Sequence, residues 1–370
     1  MDEGQSASLS ASLLQRIRAA IEHGGGWLGF DRFMAMALYE PGLGYYASDS
    51  RKFGQMPGSG SDFVTAPEMS PLFARALAVQ LRQALLASDS REVWEFGAGS
   101  GALAAQLLAE LDDRVATYHV VELSATLRDR QAQRLQAWDG RVQWHERLPQ
   151  RIDGVVLGNE VLDAMPVQLL HWDGAQWLER GVCARDVCER GAALAWSDRP
   201  TPLRPPVPHG FAPGTVVEIH AQAEAFVRTL AAHMGRAAAF FIDYGFPEAE
   251  YYHPQRRGGT LMCHRAHQAD MDPLVDVGLK DITAHVNFSG IALAAQQAGL
   301  DVLGYTSQAR FLINCGLPGL MQSAGLQQGI AAQRLINEHE MGELFKVLGL
   351  ARGLSFEALG FSAGDRSHRL

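Results

Sequence analysis

The stretch that most limits the fold is Val93-Trp-Glu-Phe-Gly-Ala-Gly-Ser-Gly101, a short apolar strand running straight into a turn with glycine at every second position. Gly97, Gly99 and Gly101 permit positive φ and let the backbone lie close to a ligand, because no Cβ stands in the way. The apolar run from Ala102 to Leu111 predicts a helix behind the turn. The first N–H groups of that helix have no partner within it and face the same point. Strand, glycine turn and helix in that order predict the first unit of an α/β sheet. A nucleotide-type cofactor is expected at the strand's C-terminal end.

From residue 91 the hydrophobic pattern alternates between strands and helices, which predicts a parallel sheet. Strands are expected over 93–96, 117–122, 142–145, 154–157, 237–242, 302–305 and 345–350. Later helices are expected over 125–136, 221–234, 289–298, 307–325 and 328–338. Before the sheet, helices are expected over 12–22, 30–39 and 71–87, the last opening on Pro71, which suits a first helical turn. Residues 167–172 and 177–182 read as a hairpin about Asp173-Gly174. Residues 199–214, with six prolines, read as an extended surface loop, and 244–273 as irregular chain. The expected α/β architecture is a Rossmann-like seven-stranded sheet over 91–350, with insertions after the fourth and fifth strands (about 167–214 and 245–288). An N-terminal helical cap (1–90) precedes it and a tail (351–370) follows.

The chain has 370 residues, 47% hydrophobic and 20% charged, enough to bury a full core. Its net charge of −9 argues against general nucleic-acid binding by phosphate neutralisation. The same charge suits a cationic substrate, and equally suits plain solubility. No apolar run is long enough to span a membrane. The N-terminus carries neither a signal-peptide pattern nor an Arg-rich transit pattern, so a cytoplasmic location is expected. Cys183, Cys188, Cys263 and Cys315 form no metal-ligand spacing, and no metal is expected.

The glycine spacing departs from the dinucleotide fingerprint, Gly-x-Gly-x-x-Gly. Glu95 precedes the turn, and Glu122 ends the second strand, where an acid can accept hydrogen bonds from a ribose diol. Glu95 is placed to meet the amino group of a sulfonium cofactor, and no Lys or Arg stands ready to cradle phosphate. These features favour S-adenosylmethionine over a nicotinamide. Edge carboxylates on a non-catalytic α/β domain are the plain alternative.

Ligands of open α/β sheets sit at the C-terminal strand ends. After the fourth strand stands Gly158-Asn-Glu-Val-Leu-Asp-Ala-Met-Pro166. Glu160 and Asp163, three apart, would face the same way on a helical turn and suit the planar donor fork of a guanidinium. Helix capping by Asn159, with both acids at the positive end of the dipole, explains the same residues. After the fifth strand come Asp243 and Tyr244, then a stretch with His264 and His267, read as loop histidines. His285 reads as a satisfied core histidine. In the cap, Asp62, Phe63, Thr65, Pro67 and Glu68 belong to a polar, turn-rich segment that either covers a ligand or caps the Pro71 helix.

Several segments resemble one family in order: YEPGLGYYA (39–47), SDFVTAPEMSPLFARALA (61–78), WEFGAGSGALA (94–104) and GNEVLDAMPVQ (158–168). FIDYG (241–245), GGTLMCHRAH (258–267), DITAHVNFSGI (281–291) and TSQARFLINCGL (306–317) continue the series. Together they resemble the MidA family of class I methyltransferases, which includes the mitochondrial complex I assembly methyltransferase. The resemblance implies a seven-stranded methyltransferase fold and S-adenosyl-L-methionine as methyl donor. It also implies symmetric dimethylation of an accessible arginine on a protein partner, a complex I type subunit. The family's glycine motif falls on Glu95, Gly97, Gly99 and Gly101, and its acidic motif on Asn159, Glu160, Asp163 and Ala164. Glu160 and Asp163 are the expected catalytic pair. Ser61 replaces a usual glycine, and Cys263-His264-Arg265-Ala266-His267 departs from the usual Cys-Tyr-Arg-Arg-His. Methylation of another side chain or a small molecule, or a cofactor-binding assembly factor with little catalysis, are the rival expectations.

Overall fold

The computed structural model describes residues 3–47, 65–187, 191–208, 210–265 and 268–370. The central sheet is built of β1 (Glu92–Phe96), β2 (Thr117–Val121), β3 (Val142–His145), β4 (Ile152–Asn159), β5 (Met234–Phe246), β6 (Asp301–Ser307) and β7 (Phe345–Arg352). Their order is β6-β7-β5-β4-β1-β2-β3, with β7 antiparallel to both neighbours and every other pairing parallel. Val286–Asn287 pairs with the end of β5 and adds a short eighth member where a turn is expected. β4 and β5 outrun their apolar cores because polar residues still find ladder partners at the C-terminal edge, Asn159 opposite Ile242 and Asp243 opposite Lys346.

In chain order the helices are α1 (Glu3–His23), α2 (Phe30–Tyr39), α3 (Ala66–Met69), α4 (Pro71–Ser88), α5 (Ala102–Leu111), α6 (Ala125–Arg134), α7 (Ala221–His233), α8 (Glu248–Tyr251), α9 (Phe288–Gln297), α10 (Gln308–Asn314), α11 (Leu317–Ser323) and α12 (Leu326–Ile336). α4 and α5 cover one face of the sheet, and α7 and α9 the other. The middles of the central strands β4 and β5 read as apolar runs because both faces are buried there. Val155, Leu157 and Phe240 pack with Leu77 of α4 and Leu107 of α5, while Val156 and Phe241 pack with Val227 of α7 and Ile291 of α9. Truncating either phenylalanine to alanine is worth roughly 3–5 kcal/mol of stability. The single helix expected over 307–325 is broken in two, because Gly316 adopts φ +86° and Pro318 opens α11.

α1 and α2 seat on a second, antiparallel sheet. Leu13, Ile17, Phe30 and Phe33 share a core there with Val167, Leu169 and Val182. The hairpin about Asp173-Gly174 forms as expected, with Asp173 Oδ1 accepting from the N–H of Ala175 and Gln176 at 2.7 and 2.8 Å. It is enlarged by Gly191–Pro200 and Val216–Ile219, so residues 199 and 200 lie in a strand rather than a loop. A small third sheet of Met262–Arg265, Gln268–Asp270 and Asp281–Thr283 lies in and beyond the stretch expected to be irregular. The short strands Val216–Ile219 and Asp281–Thr283 have little local alternation to announce pairings that their partners decide.

Candidate active site

From β1 the chain crosses outward to β2, and from β4 to β5 on the opposite side, so the sheet's connections diverge between β1 and β4. A crevice opens beyond strand ends at such a switch point. Here it holds a cavity of about 1240 Å³. Glu95, Gly97, Gly99, Glu122, Asn159, Glu160 and Asp163 line it, joined by Thr65 and Pro67 before α4 and by Tyr244 of β5. Gly101, Glu68 and Asp243 are not among its lining residues. Asp62, Phe63 and His267 lie outside the described residues.

The glycines adopt the conformations their spacing predicts. Gly97, Gly99 and Gly101 have φ of +63°, +54° and +77°, a region costly for residues with a Cβ. A Cβ on Gly97 would also stand 3.1 Å from Val161, in the loop after β4. Gly101 serves as the N-cap of α5 instead of facing the cavity. Ser100 is anchored from outside: its hydroxyl donates to Glu68, and Arg134 of α6 donates to Glu68 Oε1 at 2.9 Å and to Ser100 Oγ at 2.8 Å. Glu68 thus ties α3 to the glycine turn.

The two acids flanking the turn are buried and provided with donors. The Tyr118 hydroxyl donates to Glu95 Oε2 at 2.8 Å. Burial pushes the Glu95 carboxyl up to about 7, with that hydrogen bond pulling it back. Glu122 accepts from the Ser124 N–H at 2.9 Å and from Gln131 Nε2 at 3.2 Å, and burial raises it despite these donors. Gln131 also donates to the Gly99 carbonyl at 3.0 Å, linking the tip of β2 to the glycine turn.

The loop after β4 is not the helical turn the spacing suggests. Residues 160–165 form bends and a turn, and the helix-capping explanation of Asn159 falls with the helix. Asp243 organises the loop: its Oδ2 accepts from the N–H groups of Val161, Leu162 and Asp163 at 3.1, 2.9 and 3.2 Å. Expected as a substrate contact, Asp243 is fully buried and acts as scaffold. Glu160 is left at φ +53°, unusual for a residue with a side chain, and its N–H donates to the Ile242 carbonyl at 2.9 Å. Asn159 Nδ2 donates to Glu160 Oε1 at 3.0 Å, and Tyr244 donates its hydroxyl to Asp163 Oδ2. Burial, then the charge of Asp163, pushes Glu160 up to about 8, and burial pushes Asp163 up to about 6.

The chemistry of this pocket fits a nucleoside sulfonium. Positive-φ glycines let the backbone approach, Glu122 sits at the tip of β2, and Asn159 Oδ1 is a buried acceptor without a hydrogen-bond partner. A family model described as S-adenosyl-L-methionine-dependent methyltransferase matches residues 72–306. The chain belongs to that family. A crystal structure of a Burkholderia thailandensis protein bound to S-adenosyl-homocysteine is 47% identical, with a TM-score of 0.94 over 100% of this chain and 99% of that one. A zebrafish relative named protein arginine methyltransferase NDUFAF7, mitochondrial, is 28% identical over 94% of this chain and 89% of its own length. The human protein of that name is 25% identical over 86% and 78%. The cofactor of this methyltransferase is S-adenosyl-L-methionine, as the glycine turn and its flanking acids predict.

Some cavity residues carry no sequence signal of their own. Tyr39 and Tyr46 lie in a resemblance segment yet read as a helix end and a loop, and Asp281 reads as part of a buried turn. All three line the cavity. His264 lines it too, from a strand rather than a loop, and the ring Nδ1 of His285 has no hydrogen-bond partner, unlike a satisfied core histidine. Among the described residues, no helix is long and apolar enough to cross a membrane.

Proposed function

We propose that this methyltransferase modifies an arginine side chain of a protein. The observation that carries the reading is the concentration of carboxyl groups lining the cavity, which an arriving cation favours in their ionised form. Glu95, Glu122, Glu146, Glu160, Asp163 and Asp281 line it, against Arg147 as the only Lys or Arg among its described lining residues. A guanidinium stays protonated at every physiological pH, so its site must supply the balancing charge. The zebrafish and human relatives, which bear the name protein arginine methyltransferase, support the same acceptor.

S-adenosyl-L-methionine supplies, when bound, a methyl group activated on a sulfonium. Glu95, Glu122, Asn159 and the glycine turn hold that molecule in this reading. Glu160 and Asp163 take the guanidinium between them, fix its plane and localise its charge away from the nitrogen that is to be methylated. Asp243 keeps both acids in place through the backbone of 161–163. As the new N–C bond forms and the S–C bond breaks, the nitrogen must lose a proton. Burial makes Glu160 and Asp163 unusually ready to accept it. On the strength of the family resemblance, the proposal extends to symmetric dimethylation and to a respiratory complex I type subunit as client.

The test adds the purified protein and labelled S-adenosyl-L-methionine to extract from a strain lacking the gene, with a control lacking the protein, then counts label in the small-molecule fraction and in the amino acids of the hydrolysed protein fraction. Label in methylarginine is the expected result. Label confined to small molecules, or to another amino acid, would overturn the reading. Mass spectrometry of complex I subunits with and without the gene then tests the client.

A further inference from the structure

Three elements distant in sequence meet on the acceptor side of the cavity through residues 163 and 164. The Tyr39 hydroxyl at the end of α2 donates to the Ala164 carbonyl at 2.8 Å. The Ala284 N–H, just beyond the Asp281–Thr283 strand, donates to the Asp163 carbonyl at 3.0 Å. Tyr46 closes the ring by donating to Asp281 Oδ1 at 2.9 Å. The Tyr39 and Tyr46 rings stack with centroids 5.6 Å apart and planes 20° apart, and Tyr45 abuts Tyr46 edge-on at 5.0 Å. Both hydroxyls are tied, so the two rings form a slab of fixed orientation beside the acidic loop. Asp281 is 4% exposed, its charge acts on Glu160, and it lines the same cavity. Asp163, also 4% exposed, presents Oδ1 without a partner.

We propose that Tyr39, Tyr46 and Asp281 form the acceptor-binding wall of this methyltransferase and select arginine over lysine. The inference rests on the arginine reading above and adds the residues that would discriminate. A guanidinium is flat and weakly hydrated on its faces, so it stacks on a tyrosine ring while its edge donates to carboxylates. A lysine ammonium has no such face and is strongly hydrated, so it gains less from the same wall. Asp281 adds a carboxylate to Glu160 and Asp163, which suits a cation with five donors better than one with three.

The experiment uses the full chain with S-adenosylhomocysteine and measures binding of N-acetyl-arginine methylamide and its lysine counterpart by calorimetry. The wild type is expected to prefer the arginine probe by about tenfold. Tyr39→Leu should lose most of that preference, Tyr39→Phe should keep it, and Asp281→Asn should weaken the arginine probe several-fold. Each variant should hold S-adenosylhomocysteine within about twofold of wild type, which verifies its fold. If Tyr39→Leu and Asp281→Asn bind both probes as wild type does, while wild type forms methylarginine in extract, the wall is wrong and the arginine reading stands. If wild type forms no methylarginine, that reading and the wall fall together.

Discussion

The glycine turn and the loop after β4 both bring buried carboxylates to one cavity, yet they hold them differently. Around the turn, Glu95 and Glu122 each accept from fixed donors, Tyr118 for one and Ser124 and Gln131 for the other. In the loop, Asp163 accepts from Tyr244 at Oδ2 but keeps Oδ1 unpartnered, and Glu160, at positive φ with Asn159 as its donor, has its carboxyl raised to about 8. A carboxylate surrounded by donors is a finished, rigid receptor. A carboxylate that burial leaves short of partners is poised for a cation that arrives later, because the arriving charge restores what desolvation removed. The contrast agrees with the roles proposed above, the cofactor at the turn and the acceptor at the loop.

The largest expected effect tests the loop. Asp163→Asn should lower turnover by on the order of 10²–10³, since removing one partner of a buried charge pair costs about 2–5 kcal/mol. S-adenosylhomocysteine affinity should stay within about twofold, because the cofactor-side acids are untouched. Equal losses in both quantities, read by steady-state kinetics and calorimetry, would erase the division between the two regions. Gly97→Val probes the other side. A β-branched residue at φ +63°, with a Cβ 3.1 Å from Val161, should weaken S-adenosylhomocysteine about a hundredfold. Unchanged affinity in a folded variant would remove the turn from the cofactor site.

A smaller effect concerns pH. The native state holds the Glu160 proton up to about pH 8, whereas an unfolded glutamate releases it near about 4.3. Its contribution to stability is therefore fully present below the unfolded value and is lost as pH rises through the folded one. Thermal denaturation of the ligand-free protein should show stability falling between about pH 4.5 and 8, and Glu160→Gln should flatten that fall. A profile identical in the variant would mean that Glu160 is already ionised in the empty cavity. The smallest effect is expected from Glu68→Gln, which loosens the Arg134–Ser100 clamp behind the turn and should raise the S-adenosylhomocysteine Kd by about threefold with turnover at saturation preserved.

Much of the central fold is legible in local pattern. The apolar runs at Val155–Leu157 and Ala237–Ile242 mark strands because a sheet covered on both faces needs residues that are apolar on both sides. The turn is equally legible, since positive φ at alternate positions selects glycine. The accessory strand at Val216–Ile219 escapes such reading, because it forms only against Gln168–His171, far back in the chain. The acidic loop misleads in a specific way: Asn159, Glu160 and Asp163 have helical spacing, but Asp243 captures the N–H groups that a first helical turn would leave free.

By itself the sequence determined the glycine turn, the acids at the tips of the strands, and hence the class of cofactor, because these depend on backbone freedom and charge within a few residues. Only the tertiary structure decided which acids share one cavity, and which rings stand beside them. Asp243 lies 82 residues from Val161, and Tyr46 lies 235 from Asp281. Their meeting depends on the register of β4 against β5 and on how α2 seats against the acidic loop. Such juxtapositions leave no periodicity in the chain, because the energy that creates them is released only when the whole sheet has closed.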